Sequence, residues 1–469
     1  MIRSLVGTLA VLLLALPEGG GAQAVSLVSP DGDVDWNRFY TAAETNQMLR
    51  EFHALYPELT ELYPVGESFR GQPLMLLEIT NKATGPASRK PALYVDGGIH
   101  AAELTGSAVA TYLIGYLLNG YGDDDRITAL LDTRAFYVRP KFNPDGSDIA
   151  LIDDQSLRST TRPVDDDEDG TADEDPGEDL DGDGWITRIR IPDDEGDWVL
   201  DPSDDRILVR DVQGQLNGAR YSTLGEGIDN DGDGAFGEDG IGGIDMNRNF
   251  PRNWERWHLQ PGAGDFPLSE PETRAAVEFI NANRNITGIF HGHTSGGFVY
   301  RLPSASAPSL FPKIDLSLIE HLGEEYTRTT GRPVVPSATH PTEHRYGTLI
   351  SWGYWDHGII GWVPEFSPGP EEWAIDYDGD EVISQSEQHR FNDEELDGRY
   401  FSDWVAFDHP QLGAVEIGGW HSKFWGQNPP PEFLEAETAK QMPWAIYLAE
   451  LSPLIEVGSP SVTAAGNGT

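Results

Sequence analysis

The apolar run at residues 92–95 closes on Asp96-Gly97-Gly98, and His100-Ala-Ala-Glu103 follows at once. No other stretch restricts the fold as much. A short, wholly apolar run bounded by glycines reads as a strand buried inside a sheet. Polar groups just beyond its C-terminal end stand where open α/β sheets bind their ligands. Imidazole and carboxylate are both zinc donors, so the pair is half of a metal site. A third ligand must come from far along the chain, and a catalytic site leaves a fourth position to water. By itself the spacing is also that of ordinary surface residues, and the rest of the chain has to decide.

The flanking sequence supports a layered α/β domain. Thr41-Ala-Ala-Glu44 is a capping box, and Met48, Leu49, Phe52 and Leu55 follow at helical spacing, predicting a helix that ends near Pro57. Residues 74–79 and 136–138 read as further strands, and 106–118 as an apolar helix packed on the sheet. Ser269-Glu-Pro-Glu272 opens a helix to about residue 282, and residues 286–290 form a strand running into His291-Gly-His293. Helix and strand alternate. Between residues 163 and 243 the rhythm gives way to Asp, Gly and Glu, predicting an insertion of loops without a core of its own. Residues 458–469 read as a loose tail.

With 469 residues, 38% of them hydrophobic, the chain can bury a large core. Its formal charge of −46 excludes nucleic acid and anionic membrane as partners, because phosphate would be repelled. Arg3, the apolar stretch at 5–16 and Ala22-Gln-Ala24 read as a signal peptide over residues 1–24, which predicts a secreted or periplasmic protein. There is no cysteine, so stability rests on the core and on bound metal.

Acid is concentrated in repeats. Asp179-Leu-Asp181-Gly-Asp183-Gly, Asp229-Asn-Asp231-Gly-Asp233-Gly and Asp376-Tyr-Asp378-Gly-Asp380 place carboxylates at alternate positions. A related run starts at Asp165. Such loops converge on one hard cation, which predicts structural calcium. In the region 376–395 Glu387 occupies the twelfth position, as in an EF-hand, although Glu381 replaces the usual sixth-position glycine. A solvated acidic loop is the plainer alternative.

Five further motifs, taken in order with His100 and Glu103, resemble the zinc carboxypeptidase family. They are Asn143-Pro-Asp-Gly146, Arg158, Asp245-Met-Asn247-Arg248-Asn249-Phe250, His293-Thr-Ser-Gly-Gly297 and Pro364-Glu365-Phe366. The resemblance implies a three-layer α/β/α sandwich with a central mixed β-sheet over residues 36–452, into which the Asp/Gly-rich loops are inserted. It implies one catalytic zinc on His100, Glu103 and His293, with His291 as the rival third ligand. Glu365 corresponds to the general base. Arg158 corresponds to the arginine that stabilises the oxyanion, with Arg162 as its competitor. Asn247 and Arg248 match the pair that grips a free C-terminal carboxylate. Tyr346 and Tyr354 are both candidates for the tyrosine that closes over the substrate. The pocket for the terminal side chain is expected near residues 349–352, without an acid or base.

The implied activity is zinc-dependent hydrolysis of the C-terminal peptide bond of peptides or proteins. A zinc amidase or deacylase acting on cell-wall peptides or acylated amino acids is the alternative. A non-catalytic, calcium-stabilised binding module is a third reading, which the acid at Glu365 disfavours.

Overall fold

An eight-stranded sheet forms the spine of the computed structural model, which describes residues 28–29, 32–166, 168–237, 239–304, 306–337 and 345–455. The expected signal peptide (1–24) and tail (458–469) lie outside these residues. The strands lie in the order Val334–Pro336, Phe298–Arg301, Ile360–Phe366, Ile286–Thr294, Ala92–Gly97, Ala135–Arg139, Pro73–Ile79 and Thr60–Glu67. From the third to the sixth strand all neighbours are parallel. Antiparallel pairs flank them on both sides, so the sheet is mixed, as expected. The Thr60–Glu67 strand was not foreseen. It carries Pro64, which an edge strand tolerates because one side of its backbone makes no ladder bonds.

Alternation along the strands sorts the core into two layers. Leu93, Val95, Phe136 and Val138 face one side, against the helices Leu104–Gly120 and Leu434–Glu450. Tyr94, Ala135, Tyr137 and Ile289 face the other, against Pro271–Ala282 and Leu349–His357. The product is an α/β/α sandwich. The capping box forms as the sequence indicates: Thr41 donates its amide to Glu44 Oε2 at 2.9 Å, and its hydroxyl accepts the Glu44 amide at 3.3 Å. That helix runs Ala42–Leu55.

Three glycines explain how the Leu104–Gly120 helix comes so close to the strand ends. A Cβ on Gly97 would lie 2.1 Å from the Gly106 carbonyl oxygen, and one on Gly106 would lie 2.5 Å from that of Gly292. Only glycine fits such backbone contact. Because the helix is seated this low, Glu103, its N-cap residue, sits over the ends of two strands.

The expectation of bare loops over residues 163–243 is corrected. Arg188–Pro192, Trp198–Asp201, Asp204–Arg210 and Arg220–Gly225 form four strands of a second, six-stranded antiparallel sheet. Phe401–His409 and Gly413–Trp420 complete it. Ile189, Val415 and Ile417 bury a small core between segments more than 200 residues apart in sequence. The strands are short, and acid-rich turns dilute their pattern. Among the described residues, no helix is long and apolar enough to cross a membrane.

Candidate metal centre and cleft

His100, Glu103 and His293 meet at the C-terminal ends of the parallel strands, all three buried. Their ligand atoms lie within 4.8 Å of one another. Nδ1 of His100 is 2.7 Å from one Glu103 oxygen, Nδ1 of His293 is 2.9 Å from the other, and the two Nδ1 atoms are 3.1 Å apart. On its far side His100 turns Nε2 to Asp245 Oδ1 at 3.1 Å. A proton on Nε2 satisfies that bond and leaves Nδ1 as a lone pair, so a carboxylate fixes the tautomer that binds metal. Lone pairs and anionic oxygens facing one point are a donor set for a cation, and two imidazoles with one carboxylate are a zinc set.

The electrostatics agree. Burial opposes the charge on Glu103, but His100 and His293 outweigh it and hold the carboxyl well below its usual range. Burial also pushes His293 down to about 3, keeping it the neutral ligand form. Asp245 is held well below the carboxylate range: burial opposes its charge, and Arg158, His100 and Arg248 prevail.

His291, the rival ligand, lies outside this group. It is fully buried, its Nδ1 bonds the carboxylate of Asp96, and its ring stands edge-on to that of His293 with centroids 4.4 Å apart. Arg158 reaches Asp245 Oδ2 with Nε at 3.0 Å and Glu103 with a terminal nitrogen at 3.5 Å. Its competitor Arg162 is occupied elsewhere, on Glu270 and over the ring of Phe69. The Asn143 motif has a structural task. Asn143 caps the helix Pro144–Ile152 through the Gly146 amide and donates Nδ2 to the Ser159 carbonyl at 2.9 Å, tying down the residue after Arg158.

Asn247 places its side-chain nitrogen 3.4 Å from His293 Nε2 and accepts the Leu349 amide at 3.1 Å. Arg248 is buried beside it, with one terminal nitrogen 3.0 Å from the Asn247 carbonyl. Glu365 pairs in register with His293 on the neighbouring strand. Burial, then the charge of Glu103, raise its carboxyl well above the usual range, against Arg158, Arg345 and Arg248. The three ligands, Arg158, Asp245, Asn247, Arg248, Arg345 and Glu365 line one cleft of about 1840 Å³, which continues over Trp198, Trp404 and Trp420 of the second sheet.

Several expectations need correction. Tyr354 donates its hydroxyl to Asp315 at 2.7 Å and stacks on Phe311, outside the cleft lining. Tyr346 is also outside that lining, although its amide bonds the cleft residue Gln260. Leu349, Ile350, Ser351 and Trp352 are buried, and the three apolar ones pack in the core, so they do not form a side-chain pocket. Asp245 and Arg345 were not singled out, although both line the cleft. Asp245 stood inside a quoted motif, while Arg345 has no local signal.

The acidic repeats fold as a set of tight turns. Asp179, Asp229 and Asp376 each accept the amides three and five residues on. Among the described residues, carboxylates converge at Asp179, Asp181 and Glu226, at Asp175, Asp229 and Asp231, at Asp169, Glu174 and Asp231, and at Asp376, Asp378 and Glu387. Asp183, Asp233 and Asp380 stay out of these groups and accept the amides of Trp185, Ala235 and Val382. Glu387 also closes a capping box with Ser384, a task its twelfth position did not announce.

A profile of the zinc carboxypeptidase family matches residues 45–198 and 208–372. Carboxypeptidase O of Bos taurus is 31% identical over 271 residues, 56% of this chain and 52% of its own length. Carboxypeptidase B of Astacus astacus is 33% identical over 127 residues, 27% of this chain and 40% of its own. The chain therefore spans about half or less of these relatives. Among solved structures, carboxypeptidase A from Helicoverpa armigera superposes with a TM-score of 0.54 at 15% identity, covering 90% of this chain and 75% of that one. Thrombin activatable fibrinolysis inhibitor gives a TM-score of 0.54 at 16% identity, covering 88% and 74%. At those identities the superpositions speak for the fold. With the family profile spanning most of the α/β/α sandwich, and the buried His100, Glu103 and His293 at its strand ends, the chain belongs to the zinc carboxypeptidase family.

Proposed function

We propose that this protein removes C-terminal residues from peptides or proteins by zinc-dependent hydrolysis. One observation carries the reading: a buried two-histidine, one-carboxylate donor set shares a cleft with the acid Glu365 and with Arg158, Arg248 and Arg345 among its arginines. Zinc, when held by His100, Glu103 and His293, supplies Lewis acidity. Glu365 takes a proton from the attacking water and passes it to the leaving amine. Arg158 faces the oxygen on which negative charge develops. Asn247 and Arg248 hold the terminal carboxylate, for which a guanidinium offers a planar two-pronged fork.

The remaining parts of the reading concern setting. The apolar stretch behind Arg3 supports export, to the periplasm or outside the cell. The loops at Asp179, Asp229 and Asp376 take calcium as a structural ion.

A peptide library read by mass spectrometry tests the activity. Trimming by single residues from free C-termini supports the exopeptidase. Cleavage confined to internal or side-chain amides would assign the same metal centre to an amidase or deacylase.

A further inference from the structure

Asp175 belongs to none of the acidic repeats, yet it is 0% exposed and points into one of them. Its Oδ1 accepts the Asn230 amide at 2.7 Å, which fixes the carboxylate against the loop that starts at Asp229. Its Oδ2 has no hydrogen-bond partner. Ligand oxygens of Asp175, Asp229 and Asp231 lie within 4.8 Å of one another. Close by, Asp239 is also 0% exposed, and its carbonyl accepts the Asp175 amide at 3.0 Å. Buried carboxylates are paired with a cation or coordinate a metal, because leaving them bare is costly. Turns within the Asp229 loop explain its own acids but not a buried aspartate brought from 54 residues upstream to face them with one oxygen unmet.

We propose that Asp175, Asp229 and Asp231 form a calcium site that fastens the acidic insertion to the cleft wall carrying Asp245. The set is all oxygen and includes one solvent-exposed member that leaves room for water, as calcium's six to eight oxygen ligands require. From this point the chain leads directly to the metal centre. The Gly242 amide donates to Asp173 Oδ1 at 2.9 Å, and the Ile244 carbonyl accepts the Thr160 amide at 2.9 Å. Residues 240–243 and Asp245 line the cleft. There is little slack in this segment, since a Cβ on Gly242 would lie 1.7 Å from the Thr160 carbonyl oxygen. Holding residues 173–175 against 229–239 therefore holds the segment from which Asp245 reaches His100 and Arg158. The inference deepens the calcium reading above and is independent of peptide hydrolysis.

The test uses the full chain with its zinc counted by atomic emission. Calcium chloride is titrated calorimetrically into wild type and Asp175→Asn, and the variant is expected to lose about one equivalent of calcium per chain while keeping its zinc. Wild type that takes up no calcium, or a variant that takes up as much, overturns the site. A second measurement needs no variant. Hydrogen exchange on wild type is expected to slow over residues 173–175 and 229–245 when calcium is added. Unchanged exchange there, with slowing confined to the Asp376 loop, overturns the proposal even if the variant does not fold. Neither readout depends on turnover, so an inactive or differently acting enzyme leaves the test intact.

Discussion

His293 and Glu365 are register partners on adjacent parallel strands, so the backbone ladder that builds the sheet also sets a metal ligand beside the acid. No loop has to be ordered to bring the two together. Fixing both on a rigid element is the arrangement that holds reacting groups in place without reorganisation.

This placement separates their roles. Glu365→Gln keeps the shape of the side chain and is outside the donor set, so zinc content should stay at the wild-type level. Turnover should fall by a factor of at least ~100, the scale expected for loss of a general base. Steady-state kinetics with atomic emission on the same sample checks both, and near-normal turnover would remove Glu365 from the mechanism.

Replacing His100, Glu103 or His293 by Ala should abolish tight zinc binding, whereas His291→Ala should retain measurable zinc because His291 is tied to Asp96. Asp245→Asn is a finer probe. It preserves volume but weakens the bond that sets the His100 tautomer, and it should lower zinc affinity by about 10–100-fold. Competition with a zinc-binding dye measures this, and an unchanged affinity would show that Asp245 does not orient the ligand.

Gly106→Ala should destabilise the fold by about 1–3 kcal/mol, since the new methyl has only backbone to displace. Gly225→Ala, where a Cβ meets nothing within 4 Å, should be close to neutral. Thermal melts of the pair decide whether close packing at Gly97, Gly106 and Gly292 seats Glu103.

What was legible in the sequence follows physical lines. The parallel strands could be read because they are buried on both faces and appear as short continuous apolar runs, such as residues 92–95. His100, Glu103, His293 and Glu365 lie at the ends of such runs, where position along the chain translates directly into position in space. The second sheet escaped notice because its strands are half-exposed and interrupted by acid, and two of them arrive from beyond residue 400. Arg345 and the Asp175 contact escaped for a related reason: each is defined by what it meets across the fold. Tyr354 and the expected side-chain pocket miss the cleft because a helix, Leu349–His357, turns those residues toward the core.

Arg248 gives the sharpest separation between hydrolases that share this metal centre. It is buried beside Asn247 and Asp245, inside the cleft and outside the donor set, so Arg248→Ala should leave zinc in place. Its loss should instead weaken binding of substrates with a free C-terminus, seen mainly as a higher KM. Amidating the C-terminus of a peptide removes the other half of the same charged pair, so wild type on amidated peptide should behave like the variant on free peptide. The two changes together should then cost little more than either alone, as expected for groups that act only on each other. Equal cleavage of free and amidated peptides by wild type would show that Arg248 does not read a carboxylate, and would move the assignment to the amidase or deacylase reading.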